Sequence, residues 1–290
     1  MYERILVPTD GSELASAAGE AALALARRFD AELHAISVVE ATVLPHRFDD
    51  VTDELVRRGK EAVTAIDDEA TAAGVNVTTA VIEDAEPVHR AIIDYADDHD
   101  IDLVVMGTHG FTGIDRVVLG SVTEQTLRNS PVPVMTVHGD TVVFPAFDSV
   151  LVPFDGSDCA QAAVDHAIDL AAATDATLQF VHVVDHSVVA IEVDAGMVLD
   201  ALRQAGERAL ESTVEAAERA GVETGETAVL VGSPGNKITE YASERDVDCI
   251  VMGTHGRTGM GRVFLGSVAE RVIRKTDVPV IATKVSENAE

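Results

Sequence analysis

The sequence predicts an α/β fold made of two tandem doubly wound domains, each with a five-stranded parallel sheet in the strand order 3-2-1-4-5. The chain of 290 residues is long enough for two domains of ordinary size. Its halves carry the same short motifs, and within each half apolar runs alternate with amphipathic helical patterns. The runs are rich in Val and Ile without polar alternation, which is typical of parallel strands covered by helices on both faces.

Three segments carry the repeat. Ile-Leu-Val-Pro-Thr-Asp-Gly-Ser at 5–12 returns as Val-Leu-Val-Pro-Phe-Asp-Gly-Ser at 150–157. Val-Met-Gly-Thr-His-Gly at 105–110 returns at 251–256, and Arg-Val-Val-Leu-Gly-Ser at 116–121 returns as Arg-Val-Phe-Leu-Gly-Ser at 262–267. Matches in the same order and at nearly the same spacing indicate a duplication. We therefore expect one domain at 1–140 and a second at 147–290, joined by a short turn-rich segment.

The alternation of patterns places the elements of each half. The first half predicts strands at Arg4–Thr9, Ala31–Val39, Val75–Ile82, Asp102–Gly107 and Val132–Val137, and helices at Glu13–Phe29, Asp50–Ala73, Pro87–Asp98 and Ser121–Asn129. The second half predicts strands at Ser149–Phe154, Ala176–Val184, Val222–Val231, Asp248–Gly253 and Val278–Thr283. Five strands with helices between them are the pattern of a Rossmann-like sheet.

The net charge of −29 restricts the partners that the surface can bind. Fifty acidic residues against 21 basic ones repel nucleic acid and anionic membranes, so we expect neither as a partner. Only four of the basic residues are lysines, and many surface carboxylates with few lysines suit a halophilic protein. No apolar run reaches the roughly 18 residues of a membrane span. Because no signal peptide is recognisable either, we expect a cytoplasmic protein.

The unusual residues lie where strands end, and in open α/β sheets ligands bind at the carboxyl ends of strands, beside the point where the strand order reverses. Pro8, Thr9 and Asp10 follow the first strand of the first half, as Pro153, Phe154 and Asp155 do in the second. The fourth strand of each half leads into a loop of the form G-x2-G-x9-G-S. Its members are Gly107, Gly110, Gly120 and Ser121, and again Gly253, Gly256, Gly266 and Ser267.

This glycine loop predicts a phosphate site in each half. Glycine allows the backbone to approach a ligand closely, and the amides of such a loop and of the helix that follows favour an anion. A structural alternative stays open for single residues. Ser121 and Ser267, each followed three residues later by Glu, also form capping boxes, and the segment Asp10–Glu13 could cap a helix. Arg116 and Arg262 either contact phosphate or are solvated.

No second metal ligand accompanies His109 or His255, so we expect no zinc site. The chain also lacks a P-loop and a nucleophile elbow. Neither loop contains an activated nucleophile or a general base with a partner, which argues against a turnover enzyme.

These motifs resemble the universal stress protein family, in its tandem form and its ATP-binding subgroup, over nearly the whole chain. The resemblance implies that Asp10 and Asp155 bind the ribose and that Val38 and Val183 receive adenine through backbone atoms. The glycines and Ser121 or Ser267 would hold the phosphates of ATP, with Mg²⁺ or Mn²⁺ as counterion. It also implies an internal pseudo-dimer in which Val132–Val137 pairs with Val278–Thr283, and it leaves a further homodimer open.

The halves differ beside these residues. Phe154 replaces Thr9, and Gly261 replaces Asp115, so the two sites are not expected to be equivalent. We interpret the chain as a nucleotide-dependent sensor or switch in stress response. Two alternatives remain: an enzyme that transfers adenylate or slowly hydrolyses ATP, and an interaction module that binds no nucleotide.

Overall fold

The computed structural model describes residues 1–40, 49–85, 87–109, 119–139, 147–185, 195–256 and 265–285. The chain divides into two compact units, Met1–Pro145 and Ala146–Glu290. In the first unit the elements are β1 (Arg4–Pro8), α1 (Glu13–Phe29), β2 (Glu32–Glu40), α2 (Asp49–Ala73), β3 (Val77–Ala85), α3 (Val88–Asp98), β4 (Leu103–Gly107), α4 (Ser121–Asn129) and β5 (Val134–Val137). Its strands run parallel in the order β3-β2-β1-β4-β5.

The second unit repeats this architecture. Its elements are β6 (Ser149–Pro153), α5 (Asp158–Thr174), β7 (Thr177–Asp185), α6 (Ala195–Arg219), β8 (Thr224–Gly232), α7 (Pro234–Glu244), β9 (Cys249–Gly253), α8 (Ser267–Lys275) and β10 (Val280–Thr283). The strands pair in parallel in the order β8-β7-β6-β9-β10. The predicted fold class, two tandem α/β domains with the order 3-2-1-4-5, is confirmed.

The central strands are buried on both faces, which explains their unbroken apolar sequences. Ile5, Leu6 and Val7 of β1 are fully buried, and so are Val150, Leu151 and Val152 of β6. Helices α1 and α5 present mainly alanines to the sheet, and such small side chains let the helix backbone lie close to the strands. None of the described helices is both long enough and apolar enough to span a bilayer.

Several strands begin later than the sequence pattern indicates, because a helix end or a loop already uses the first residues. Ala31 and Val75 donate their N–H groups to Ala26 O and Ala70 O, so both residues complete the preceding helix. Before β5, the Ser130 hydroxyl donates to Val132 O and accepts from Val132 N–H. These backbone groups are unavailable to the sheet, and β2, β3 and β5 start one or two residues later than predicted.

The reversal of strand order positions the functional loops. In the first unit β1 lies between β2 and β4, and in the second unit β6 lies between β7 and β9. The loops that follow β1 and β4, or β6 and β9, therefore leave the sheet at adjacent strand ends.

Candidate functional site

A cavity of about 590 Å³ opens at the carboxyl ends of β6, β7 and β9 in the second unit. Its volume falls in the range of pockets that hold small organic ligands, about 300 to 1,000 Å³. The structure brings together around it all eight residues that the second half of the sequence singles out: Pro153, Phe154, Asp155, Val183, Gly253, Gly256, Gly266 and Ser267.

Several residues that line the cavity could not be predicted from the sequence. Leu202 comes from α6, and Pro234 and Ile238 come from α7. They are ordinary apolar residues of helices, so only the fold shows that they reach the cavity. His182 of β7 also lines it, although the sequence places this residue inside a buried strand.

Asp155 sits in a turn that its own side chain stabilises. The N–H of Ser157 donates to Asp155 Oδ1 at 2.9 Å, and the Ser157 hydroxyl then caps α5 by accepting from Ala160 N–H at 3.2 Å. Asp10 and Ser12 make the same two contacts before α1. The caps of α1 and α5 are therefore the serines, and each aspartate orders the turn that precedes its helix.

Phe154 leaves the backbone path of this turn unchanged. Its N–H donates to Val181 O at 2.8 Å, as the N–H of Thr9 donates to Ile36 O at 2.8 Å in the first unit. The two side chains differ in their contacts, since Thr9 Oγ1 accepts from Gly11 N–H while the Phe154 ring lines the cavity.

Gly253 and Gly266 of the second loop are required by close approaches to the protein's own backbone. A Cβ atom on Gly253 would lie 2.7 Å from the backbone carbon of Cys159, in the first turn of α5. A Cβ on Gly266 would lie 2.8 Å from Thr254 O, which accepts the N–H of Gly266 at the same distance. A Cβ on Gly256 would lie 2.7 Å from Asp155 Oδ2. Gly256 therefore joins the glycine loop to the aspartate turn.

The first loop follows the same plan where the structure describes it. A Cβ on Gly107 would lie 3.0 Å from Leu14 O, and one on Gly120 would lie 3.0 Å from His109 Cα. Pro8 ends β1, and Val38 lies near the end of β2 beside Ile82 of β3. Gly110, Asp115 and Arg116 of the first half, and Gly261 and Arg262 of the second, lie outside the described residues.

The capping-box interpretation of Ser121 and Ser267 is wrong. The N-caps of α4 and α8 are Gly120 and Gly266, and neither cap position makes a side-chain cap hydrogen bond. Both serines are instead the first helical residues and are exposed. Because Ser267, Val268 and Ala269 line the cavity, the first turn of α8 faces it with the amide groups that a helix start leaves unbonded.

The loop histidines contact neighbouring threonines. His109 Nδ1 and His138 Nδ1 each lie 3.3 Å from Thr108 Oγ1, and burial, with a smaller effect of His138, lowers the pKa of His109. His255 Nδ1 lies 3.0 Å from Thr254 Oγ1, and the backbone oxygen of His255 accepts from the Ser157 hydroxyl at 3.4 Å. Within the described ranges, no group of three or more His, Cys, Asp or Glu side chains could hold a metal ion.

The fold and the cavity define a class of protein, a doubly wound α/β protein with a cavity at the strand-order reversal. The chain belongs to the universal stress protein family, whose model matches residues 1–138 and 146–284. It is 39% identical over 141 residues to universal stress protein MJ0531 of Methanocaldococcus jannaschii, covering 48% of this chain and 82% of that protein. It is 33% identical over 148 residues to universal stress protein YxiE of Bacillus subtilis, covering 48% of this chain and 99% of that protein.

The solved structures include a similar protein with both halves. The crystal structure of a universal stress protein from Archaeoglobus fulgidus matches with a TM-score of 0.73 and 27% identity, over 98% of this chain and 97% of that one. The resemblance to the family that the motifs indicate is thereby confirmed, and so is its tandem form.

Proposed function

We propose that the chain is a cytoplasmic ATP-binding protein of the stress response that acts as a nucleotide-dependent sensor or switch. The observation that carries this proposal is the cavity of the second unit, where Asp155, the glycine loop and the start of α8 meet in one wall. The carboxylate suits a ribose, and the glycine loop and the helix start both suit phosphates.

The wall of the cavity offers a different chemistry to each part of a nucleotide. Phe154, Val183 and Leu202 supply apolar surface, which suits the faces of a base. The Asp155 carboxylate can accept hydrogen bonds from the ribose hydroxyls. The Gly253–Gly256 segment and the amides of Ser267 and Val268 suit phosphate oxygens, which would otherwise be repelled by a chain of charge −29.

A triphosphate would bring Mg²⁺ or Mn²⁺ as its counterion. Since the described residues hold no cluster of three candidate ligands, we propose that the phosphate oxygens supply most of the ligands of this ion. When bound, it would neutralise phosphate charge. The first unit is proposed to bind ATP in the same way through Pro8, Thr9, Asp10, Val38, Gly107, Gly110, Gly120 and Ser121.

Two experiments test the proposal. Purified protein is first heated, and the released small molecules are separated by chromatography; we expect adenine nucleotide. Calorimetry with ATP, AMP and adenosine then compares the wild type with Asp155→Ala and Asp10→Ala, and we expect each variant to bind all three ligands more weakly, because all three contain the ribose. Asp169→Ala is the matched control, since it removes the same charge from an exposed position of α5.

The outcomes separate the alternatives. Absence of released nucleotide together with no heat of ATP binding would favour the nucleotide-free interaction module. Release of pyrophosphate from ATP with a candidate acceptor would favour adenylate transfer, and release of phosphate would indicate slow hydrolysis. Size-exclusion chromatography with light scattering tests the further homodimer, and an experimental structure tests the predicted pairing of the last strands.

A further inference from the structure

The two units differ at one buried position of their second strand. Pro8 of β1 pairs with Ile36, and Pro153 of β6 pairs with Val181, so the following residues Ser37 and His182 are equivalent. Ser37 is 4% exposed and His182 is 9% exposed. A hydroxyl in one unit therefore corresponds to an imidazole in the other.

A hydrogen bond fixes the tautomer of the His182 ring. Its Nδ1 atom lies 2.8 Å from the backbone oxygen of Phe154. A carbonyl oxygen can only accept, so Nδ1 carries the hydrogen, and in a neutral imidazole Nε2 is then a bare acceptor.

The surroundings of the ring decide which edge meets the cavity. Cγ is attached to the main chain, Nδ1 is bonded to Phe154 O, and Cδ2 faces α6, where a Cβ on Gly206 would lie 2.6 Å away. His182 lines the cavity, and the Cε1–Nε2 edge is the part of the ring that these contacts leave open. Among the described residues no hydrogen bond to Nε2 is formed.

The wall around this edge is mostly apolar. Phe154 lines the cavity and bonds the ring through its backbone oxygen, and Leu202 lines the cavity one helical turn from Gly206 on α6. An acceptor beside apolar groups gives directional preference, because a ligand that places a second acceptor there leaves both atoms without a hydrogen.

We infer that His182 determines the base specificity of the second site: Nε2 accepts an N–H from the exocyclic amine of a 6-aminopurine and disfavours a 6-oxopurine. This inference rests on the proposed nucleotide function. Ser37 provides no such selection in the first unit, because a hydroxyl both donates and accepts.

The test is calorimetry with ATP and with inosine triphosphate, which carries an oxygen in place of the amine. It is performed at pH 8, where imidazoles are neutral, on protein carrying Asp10→Ala so that the second site dominates. We expect ATP to bind at least about tenfold more tightly than inosine triphosphate. In His182→Ser, which introduces the residue of the first unit, the ratio should fall to about threefold or less.

His182→Asn separates the hydrogen bond that Nδ1 donates to Phe154 O from the acceptor that Nε2 offers to a ligand. Its side-chain amide can still donate to Phe154 O but does not extend to the position of Nε2, so the ratio should fall here too. Ser37→Ala is the control and should leave the ratio unchanged. Either His182 variant that binds ATP with the wild-type ratio overturns the inference and leaves the proposed function standing. A wild type that binds neither nucleotide overturns both.

Discussion

The Nδ1 atom of His34 lies 3.0 Å from the phenolic oxygen of Tyr95 in the interior of the first unit. The Tyr95 ring in turn stacks on His99, with the ring centres 3.8 Å apart. At the equivalent place of the second unit, the Tyr241 hydroxyl donates to Gln179 Oε1 at 3.2 Å. The same contact thus involves a titratable ring in one unit and a neutral amide in the other.

This difference predicts an acid-sensitive contribution to stability from His34. Burial lowers the pKa of His34; nearby Glu32 opposes this shift, while His99 and Arg4 add to it. The unfolded chain therefore binds a proton more readily than the folded one, and the free energy of unfolding falls as the pH drops below the ordinary histidine value of about 6.5. His34→Gln should flatten this dependence. Urea unfolding at pH 7.5, 6.5 and 5.5 measures it, and parallel curves for wild type and variant would contradict the prediction.

Protonation of His166 in α5 should also lower the free energy of unfolding as the pH falls, and over a wider pH range. Burial lowers its pKa to about 4, so stability is lost progressively between about pH 6.5 and pH 4. The first unit has Ala21 at this position, and His166→Ala should remove up to about 3 kcal/mol of the acid-induced loss. The comparison uses the slope of the unfolding free energy against pH, because truncation of a half-buried ring also lowers stability at every pH. An unchanged slope would contradict the assignment of this pH dependence to His166.

The net charge of −29 predicts stabilisation by salt. Repulsion among carboxylates opposes the compact state, and dissolved ions screen that repulsion. The midpoint of thermal unfolding should rise steeply between 0.1 M and 3 M KCl. A flat or falling curve would mean that the acidic composition is not an adaptation to high salt.

Even the methyl group of an alanine at position 256 should weaken ligand binding by the second site. A Cβ there meets Asp155 Oδ2 at 2.7 Å, and the Ser157 N–H holds that carboxylate in place. Gly256→Ala should therefore weaken ATP binding by the second site at least about tenfold while the fold is retained, and Gly256→Asp should weaken it further by adding a negative charge. Calorimetry with ATP measures the effect on protein carrying Asp10→Ala, and circular dichroism checks the fold. If both variants bind ATP with wild-type affinity, the loop at Gly256 is not part of the ATP site.

Gly253 should instead affect stability. Its added Cβ would collide with the backbone of Cys159, which cannot move without moving the start of α5. Gly253→Ala is expected to destabilise the protein by about 1–3 kcal/mol in urea unfolding. Gly196→Ala is the control, because no atom lies within 4 Å of the added Cβ there. Equal effects of the two substitutions would contradict this packing role.

The sequence alone was sufficient to find the strands and to recognise a parallel sheet, because parallel strands buried on both faces leave an unmistakable apolar pattern. It was insufficient at strand starts such as Val132, where a side-chain hydroxyl competes for the backbone groups. It also left the role of Ser121 and Ser267 open, since the Ser-x-x-Glu pattern is the same whether the serine caps the helix or forms its first residue.

For the candidate site, the sequence pointed to the loops that follow strands, which carry unusual residues. It could not identify Leu202 or Ile238, which reach the cavity only through the packing of helices on the sheet. The contact between His182 and Phe154 was equally hidden, because it joins residues 28 positions apart and His182 looks like an ordinary strand residue.

The close approaches at Gly253 and Gly266 bear on how such a chain changes over generations. Both glycines are held by the protein's own backbone, at Cys159 and Thr254, so selection for folding alone would preserve them. A descendant that no longer binds a ligand would keep most of the glycine motif, and its sequence would still predict a binding site. Gly256 is different, because the group that its Cβ would strike is the Asp155 side chain. If Asp155 is substituted, the constraint on Gly256 disappears and Gly256 can be substituted as well. Loss of both residues would therefore be the earliest sequence change that marks a site without a ligand.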